Sequence, residues 1–178
     1  SIGLPALLFL KKTAPEQSQL SHSYIGRRSA ELILADGHSI RLENNVVEVQ
    51  EQNGVWITND SNCMLAYGQH SSLLSDTLQL VYNTLKIPAG ADYIVNLSDG
   101  TRVHLNCESE FRFPVAFAGN ERRVYLDGEA FFEVEKVTDW PFIVETDRMD
   151  VRVTGTRFNV MSYRKDSLIA TTLVSGRV

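Results

Sequence analysis

The chain has 178 residues, 43% of them hydrophobic and 22% charged, which is enough apolar material to bury a core and too much for a disordered polypeptide. A net charge of −5 leaves no positive field for nucleic acid, and the basic pairs Arg27-Arg28 and Arg122-Arg123 stand isolated inside strand-like segments. The four scattered histidines and the two distant cysteines lack metal-ligand spacing, so no metal or cofactor is expected; Cys63 and Cys107 read as free thiols, with a disulfide as the alternative in an oxidising compartment.

The first segment, residues 1–12, carries Leu4-Pro5-Ala6-Leu7-Leu8-Phe9-Leu10 before Lys11-Lys12, well short of the ~20 apolar residues of a membrane span. It reads as the trailing end of a membrane helix, as a processing remnant, or as a short strand packed on the core. After a polar stretch, an N-terminal β lobe is expected over 24–82. Leu32, Leu34, Ile40 and Leu42 flank Asp36-Gly37 in alternation, which predicts a hairpin with Leu32 opposite Ile40. Val46, Val47 and Val49, then Val55, Trp56 and Ile57, are strand vocabulary. Residues 68–76 read as a connection, and Leu78, Leu80 and Tyr82 resume alternation.

The larger β domain, 83–178, opens after the turn at Ile87 to Gly90 with a hairpin over Tyr93 to Asn106. Apolar residues occupy odd positions on both sides of Asp99-Gly100. A two-residue loop would set Leu97 against Arg102, whereas a three-residue loop of Ser98, Asp99 and Gly100 sets Leu97 against Thr101, Val95 against Val103 and Tyr93 against Leu105. Only the second keeps one apolar face, with Gly100 in the left-handed position of a G1 bulge. Phe111, Phe113, Val115 and Phe117 alternate next, then Val124 and Leu126 run to Asp127-Gly128, read as another turn, before Ala130, Phe132 and Val134. Phe142 and Val144 follow Pro141. Val151 and Val153 are odd while Phe158 and Val160 are even, so a bulge or sheet corner is predicted at Gly155-Thr156. Val174, Gly176 and Val178 read as the start of a further strand in a chain that continues.

No window shows sustained helical periodicity, so the fold class is all-β: antiparallel hairpins in a sandwich, roll or solenoid-like stack with two lobes. Glu129, Glu133 and Glu135 lie on the polar face of a strand whose other face is apolar, which is a solvated surface rather than a glycosidase pair. Ser98 and Ser109 lack a nucleophile elbow, and no glycine loop leads into a helix to hold phosphate. No catalytic residue is expected.

An ordered set of motifs runs from Leu85 to the end: Pro88-x-Gly90, Leu97-Ser98-Asp99-Gly100-Thr101, Leu105-Asn106, Ser109, Phe113-Pro114, Arg123-x-Tyr125-x-Asp127-Gly128-Glu129-Ala130-Phe131-Phe132-Glu133-Val134, Pro141-Phe142-x-Val144, Gly155-Thr156-x-Phe158-Asn159-Val160 and Thr172-Leu173-Val174-x-Gly176-x-Val178. Together these closely resemble the FecR family of membrane-anchored anti-sigma factors, with 24–67 like the variable lead-in of Bacteroidetes-type members. The resemblance implies that Asp36, Gly37, Asp99, Gly100, Thr101, Leu105, Asn106, Gly128, Glu129, Phe132, Gly155, Thr156, Phe158 and Asn159 are structural motif positions; it assigns no partner-binding residue. It implies the periplasmic region of a single-pass inner-membrane protein that relays a signal from the N-terminal signalling domain of a TonB-dependent outer-membrane transporter to an ECF sigma factor. The sigma factor would be held only by a cytoplasmic domain absent from this sequence. The competing reading is a carbohydrate-binding β-sandwich module, for which Trp56, Trp140 and Tyr125 would have to share one exposed surface.

Overall fold

The computed structural model describes residues 27–43, 45–51, 55–60, 62, 64–68, 80–166 and 170–175. The N-terminal apolar stub, Leu78, Cys63, Gly176 and Val178 lie outside them. The described residues form fifteen strands and no helix: β1 (Arg27–Arg28), β2 (Ala30–Ile33), β3 (Ser39–Leu42), β4 (Val47–Gln50), β5 (Trp56–Asn59), β6 (Met64–Gly68), β7 (Tyr82–Lys86), β8 (Ala91–Asn96), β9 (Arg102–Leu105), β10 (Glu110–Pro114), β11 (Arg122–Glu133), β12 (Phe142–Glu145), β13 (Asp150–Val153), β14 (Arg157–Ser162) and β15 (Ala170–Ser175). The all-β class is as the alternation requires.

Both short hairpins hold their expected register. Leu32 faces Ile40, and the loop Ala35, Asp36, Gly37 is closed by the Leu34 amide donating to the His38 carbonyl at 2.8 Å. Tyr93 faces Leu105 and Val95 faces Val103, with the Leu97 amide donating to the Thr101 carbonyl at 2.8 Å. Gly37 and Gly100 sit at φ of 90° and 89°, which a residue with a Cβ adopts only at a cost.

Two sheets face each other across the core. One runs β3-β2-β7-β10-β11-β12-β13 and the other β4-β5-β6-β8-β9-β11-β14-β15, with β1 beside β8. Strand β11 belongs to both: residues 122–127 pair with β10 and β12, and residues 128–133 with β9 and β14. Asp127-Gly128 is therefore no turn, contrary to the sequence reading. The strand passes straight through, keeping even residues inward on both sides, and Gly128 marks the change of sheet. The expectation of antiparallel hairpins also needs correcting in part, because β1–β8, β6–β8 and β11–β12 are parallel ladders.

Strands on both sides of residue 82 contribute to one buried cluster, in which Leu32, Leu42, Ile57 and Leu65 pack with Leu85, Phe111, Phe132 and Phe158. Rings meet across the layers, Tyr67 contacting Phe113 edge-on at 5.2 Å and Phe111 contacting Phe132 at 6.1 Å, and within the second sheet Phe132 stacks on its paired neighbour Phe158 at 5.1 Å. Phe111, Phe113, Phe132, Phe142 and Phe158 are all 0% exposed, and burying each contributes about 1.5–3 kcal/mol.

The parity slip resolves as a corner. Val151 and Val153 of β13 point inward in the first sheet, Phe158 and Val160 of β14 point inward in the second, and the chain changes layer at Gly155-Thr156. A Cβ on Gly155 would lie 2.7 Å from Lys136 Cα, so a side chain there has no room. The Val134 and Val137 amides donate to the Thr156 and Thr154 carbonyls, fastening the corner to the end of β11.

Candidate functional site

The motif residues gather at two places. The first is the tip of the β8–β9 hairpin. Asp99 accepts from the Thr101 amide at 3.0 Å and from Thr101 Oγ1 at 2.7 Å, an Asx-type closure that the Ser-Asp-Gly-Thr order supplies. Its Oδ2 also accepts from Arg122 Nη1 at 2.8 Å, with the two side chains 1% and 0% exposed. Arg122 further donates from Nε to the Trp140 carbonyl at 2.9 Å and from Nη1 to the Glu135 carbonyl at 3.0 Å, while its guanidinium lies over the Trp140 and Phe142 rings. Its Nη2 is buried with no hydrogen-bond partner. One arginine thus ties the hairpin tip, the start of β11 and the loop before β12 together. Sequence reasoning took it only as half of an isolated basic pair inside a strand-like segment, although position 122 shares the inward parity of Val124 and Leu126.

The second cluster surrounds Gly128. Ser109 Oγ accepts from the Glu129 amide at 2.9 Å and donates to the Glu129 carbonyl at 3.1 Å, and the Asn106 amide donates to the same carbonyl at 2.9 Å. The Glu129 carboxylate accepts from Asn106 Nδ2 at 2.8 Å and from Asn159 Nδ2 at 2.9 Å, linking β9, β11 and β14 on the outer face of the second sheet. Asn106, Glu129 and Asn159, far apart in sequence, are thereby one polar brace, whereas Leu105, Phe132 and Phe158 are buried beneath it. Ser109 has a structural partner in Gly128, which the nucleophile question had no means of finding. Asp36 and Gly37 stand apart from both clusters, at the β2–β3 turn; Asp36 accepts from the His38 amide at 2.9 Å.

The carboxylates do not converge on a cleft. Glu133 pairs with His104 at 3.5 Å and Arg157 at 3.3 Å, Asp127 with Arg164 at 3.4 Å, and Glu110 with Lys86 at 3.2 Å. Among the described residues no group of three or more His, Cys, Asp or Glu side chains is placed to hold a metal ion. Cys107 is a half-buried free thiol whose carbonyl accepts from Tyr163 Oη at 2.9 Å. The three aromatics considered for a sugar platform belong to different elements. Trp56 is on β5 of the second sheet, Tyr125 packs on Tyr82 and Arg112 on the first, and Trp140 sits in the loop before β12 against Phe117, donating to the Gly119 carbonyl at 2.9 Å.

His104, in the row between Ile94 and Phe131, has its pKa held below the ordinary 6.5, first by burial and then by the charge of Arg102, with Glu133 opposing. Because the folded value lies below the unfolded one, the stability tied to this group is present above pH 6.5 and is lost as pH falls through the folded value. An NMR titration should give a His104 midpoint under 6.5, and Glu133→Gln should lower it further; a midpoint at or above 6.5 would contradict the assigned causes.

No helix among the described residues is long and apolar enough to cross a membrane. No curated protein matches the chain. Two crystal structures of a protein assigned as an anti-sigma factor from Parabacteroides distasonis are similar to it. One is 40% identical over 53% of this chain and 45% of the other, with a TM-score of 0.53. The second is 41% identical over 52% of this chain and 44% of the other, with a TM-score of 0.52. The chain thus spans less than half the length of these solved relatives. The family model described as FecR protein matches residues 83–178, which contain both motif clusters, and the chain belongs to the FecR family.

Proposed function

We propose that this chain is the extracytoplasmic, signal-relaying part of a membrane-anchored anti-sigma factor. It receives a signal from the N-terminal signalling domain of a TonB-dependent outer-membrane transporter and passes it to an ECF sigma factor held on the cytoplasmic side. The observation that carries this reading is the FecR match over 83–178, supported by the similarity to anti-sigma factor structures. The physics is compatible with it. Within the two clusters the titratable motif side chains hold strands together, Asp99 with Arg122 and Glu129 with its two asparagines, so the domain is built to keep its shape while other proteins act on it.

The test is a reporter driven by the cognate sigma factor in cells carrying the full-length protein. Deleting residues 83–178 should uncouple reporter output from the transporter's ligand, and the purified full-length protein should bind the transporter's signalling domain in calorimetry. Reporter output that still follows the ligand after the deletion would defeat the proposal.

A further inference from the structure

On the outer face of the first sheet, the Arg112 guanidinium lies over the Tyr82 ring at 4.3 Å and the Tyr125 ring at 5.1 Å, and the two rings meet edge to face at 6.0 Å. Register brings them together: Arg112 of β10 faces Tyr125 of β11, and Tyr82 of β7 faces Pro114, two residues along β10. The arginine is exposed and both tyrosines are half-buried. From β3 to β11 the row across the sheet reads Ser39, Ile33, Thr84, Arg112 and Tyr125, so Arg112 is its sole ionised side chain. The charges around it are already matched, Lys86 with Glu110 at 3.2 Å, Arg164 with Asp127 at 3.4 Å and Arg123 with Glu145 at 2.6 Å. Arg112 itself has no ion pair and no side-chain hydrogen bond among the described residues; Glu110 and Asp127, on the same face, serve other cations. Stacking on the rings holds the guanidinium in place and leaves its edge donors free, in a fork that matches a carboxylate.

We propose that Arg112, Tyr82 and Tyr125 form the centre of a docking surface for a partner protein that presents an aspartate or glutamate side chain between apolar residues. Tyrosine and arginine are the side chains that carry binding energy at interfaces, within a ring of neighbours that keeps water out. Ile33 and Thr84 supply the uncharged shoulder here, and the matched ion pairs supply the rim. The complementarity is one of charge, because a lone cation among uncharged side chains attracts a carboxylate and repels lysine or arginine. A pre-stacked arginine also loses little freedom on binding, which favours affinity. From β2 to β11 the patch spans about 14 Å at the ~4.8 Å spacing of strands, the reach of a short peptide and wider than a small carboxylate ion. The inference deepens the relay reading, on which it rests for the existence of a protein partner, by naming the face that partner uses.

The test selects random peptides displayed on phage against the full-length protein in detergent, then titrates the selected sequence as a fluorescent synthetic peptide. The expected consensus is an acidic residue with apolar neighbours. Arg112→Gln should weaken the peptide at least about tenfold, and Arg112→Lys at least about fivefold, because an ammonium keeps the charge without the fork. Arg152→Gln, at an exposed arginine on β13 of the same sheet, should leave the affinity within about twofold. A consensus with no acidic residue, or no consensus at all, overturns the proposal. So does an affinity that ignores Arg112→Gln or falls equally with Arg152→Gln, which means unspecific surface charge. Displacement of the peptide by acetate at the peptide's own concentration overturns it too, since that is a small-ion site. Each of these failures leaves the relay reading standing, because that reading falls only to the deletion of 83–178.

Discussion

Replacing Arg122 by Met, or Asp99 by Asn, is expected to cost about 3–5 kcal/mol each, while the double replacement recovers most of that loss. The pair is fully enclosed, so either single change strands an opposite charge where water cannot reach it. Asn at position 99 keeps an oxygen for the Thr101 amide, so the turn closure survives and the loss reports the ion pair. Chemical denaturation of the four proteins closes a double-mutant cycle. A coupling of several kcal/mol is expected; additive single effects below about 1 kcal/mol would show that the enclosed pair is energetically idle. The unpartnered Nη2 makes the arginine alone expensive to bury, so the Met and Asn combination can approach the wild type.

The second large effect is at Gly128. A Cβ there would stand 2.3 Å from Ser109 Oγ and 2.6 Å from Ser109 Cα, on a backbone with φ of 132°. Gly128→Ala should therefore cost more than about 4 kcal/mol or abolish cooperative folding. Adding Ser109→Gly should not rescue it, because the nearby Cα remains. Gly37→Ala is the control: nothing lies within 4 Å of its Cβ, and only the φ of 90° is strained, so a loss of about 1–2 kcal/mol is expected. Equal losses at the two sites, measured by thermal or urea unfolding, would refute the collision argument.

These two positions mark where the sequence could and could not be read. The hairpins at Asp36-Gly37 and Asp99-Gly100 were legible because a period of two admits only one loop length that keeps apolar residues on one face. The corner at Gly155-Thr156 was legible for the same reason, since a one-residue slip has few physical explanations. Gly128 misled because Asp-Gly is a turn signal wherever strands alternate, and only the approach of Ser109, nearly twenty residues earlier, explains a glycine inside a continuous strand. Arg122 was legible by parity and was missed because arginine is taken for a surface residue unless a buried partner is known. The parallel ladders of β6 with β8 and of β11 with β12 leave no local trace, as they join segments whose connections run elsewhere. The brace of Asn106, Glu129 and Asn159 was named residue by residue from the family resemblance, but its common purpose emerges only when three strands lie side by side.

Strand β11, shared by both layers, has a mechanical consequence. Tension entering at one face reaches the other along unbroken covalent backbone, so neither half can yield while its neighbour holds. A load applied to such a body should meet one sharp rupture rather than a staircase of partial openings.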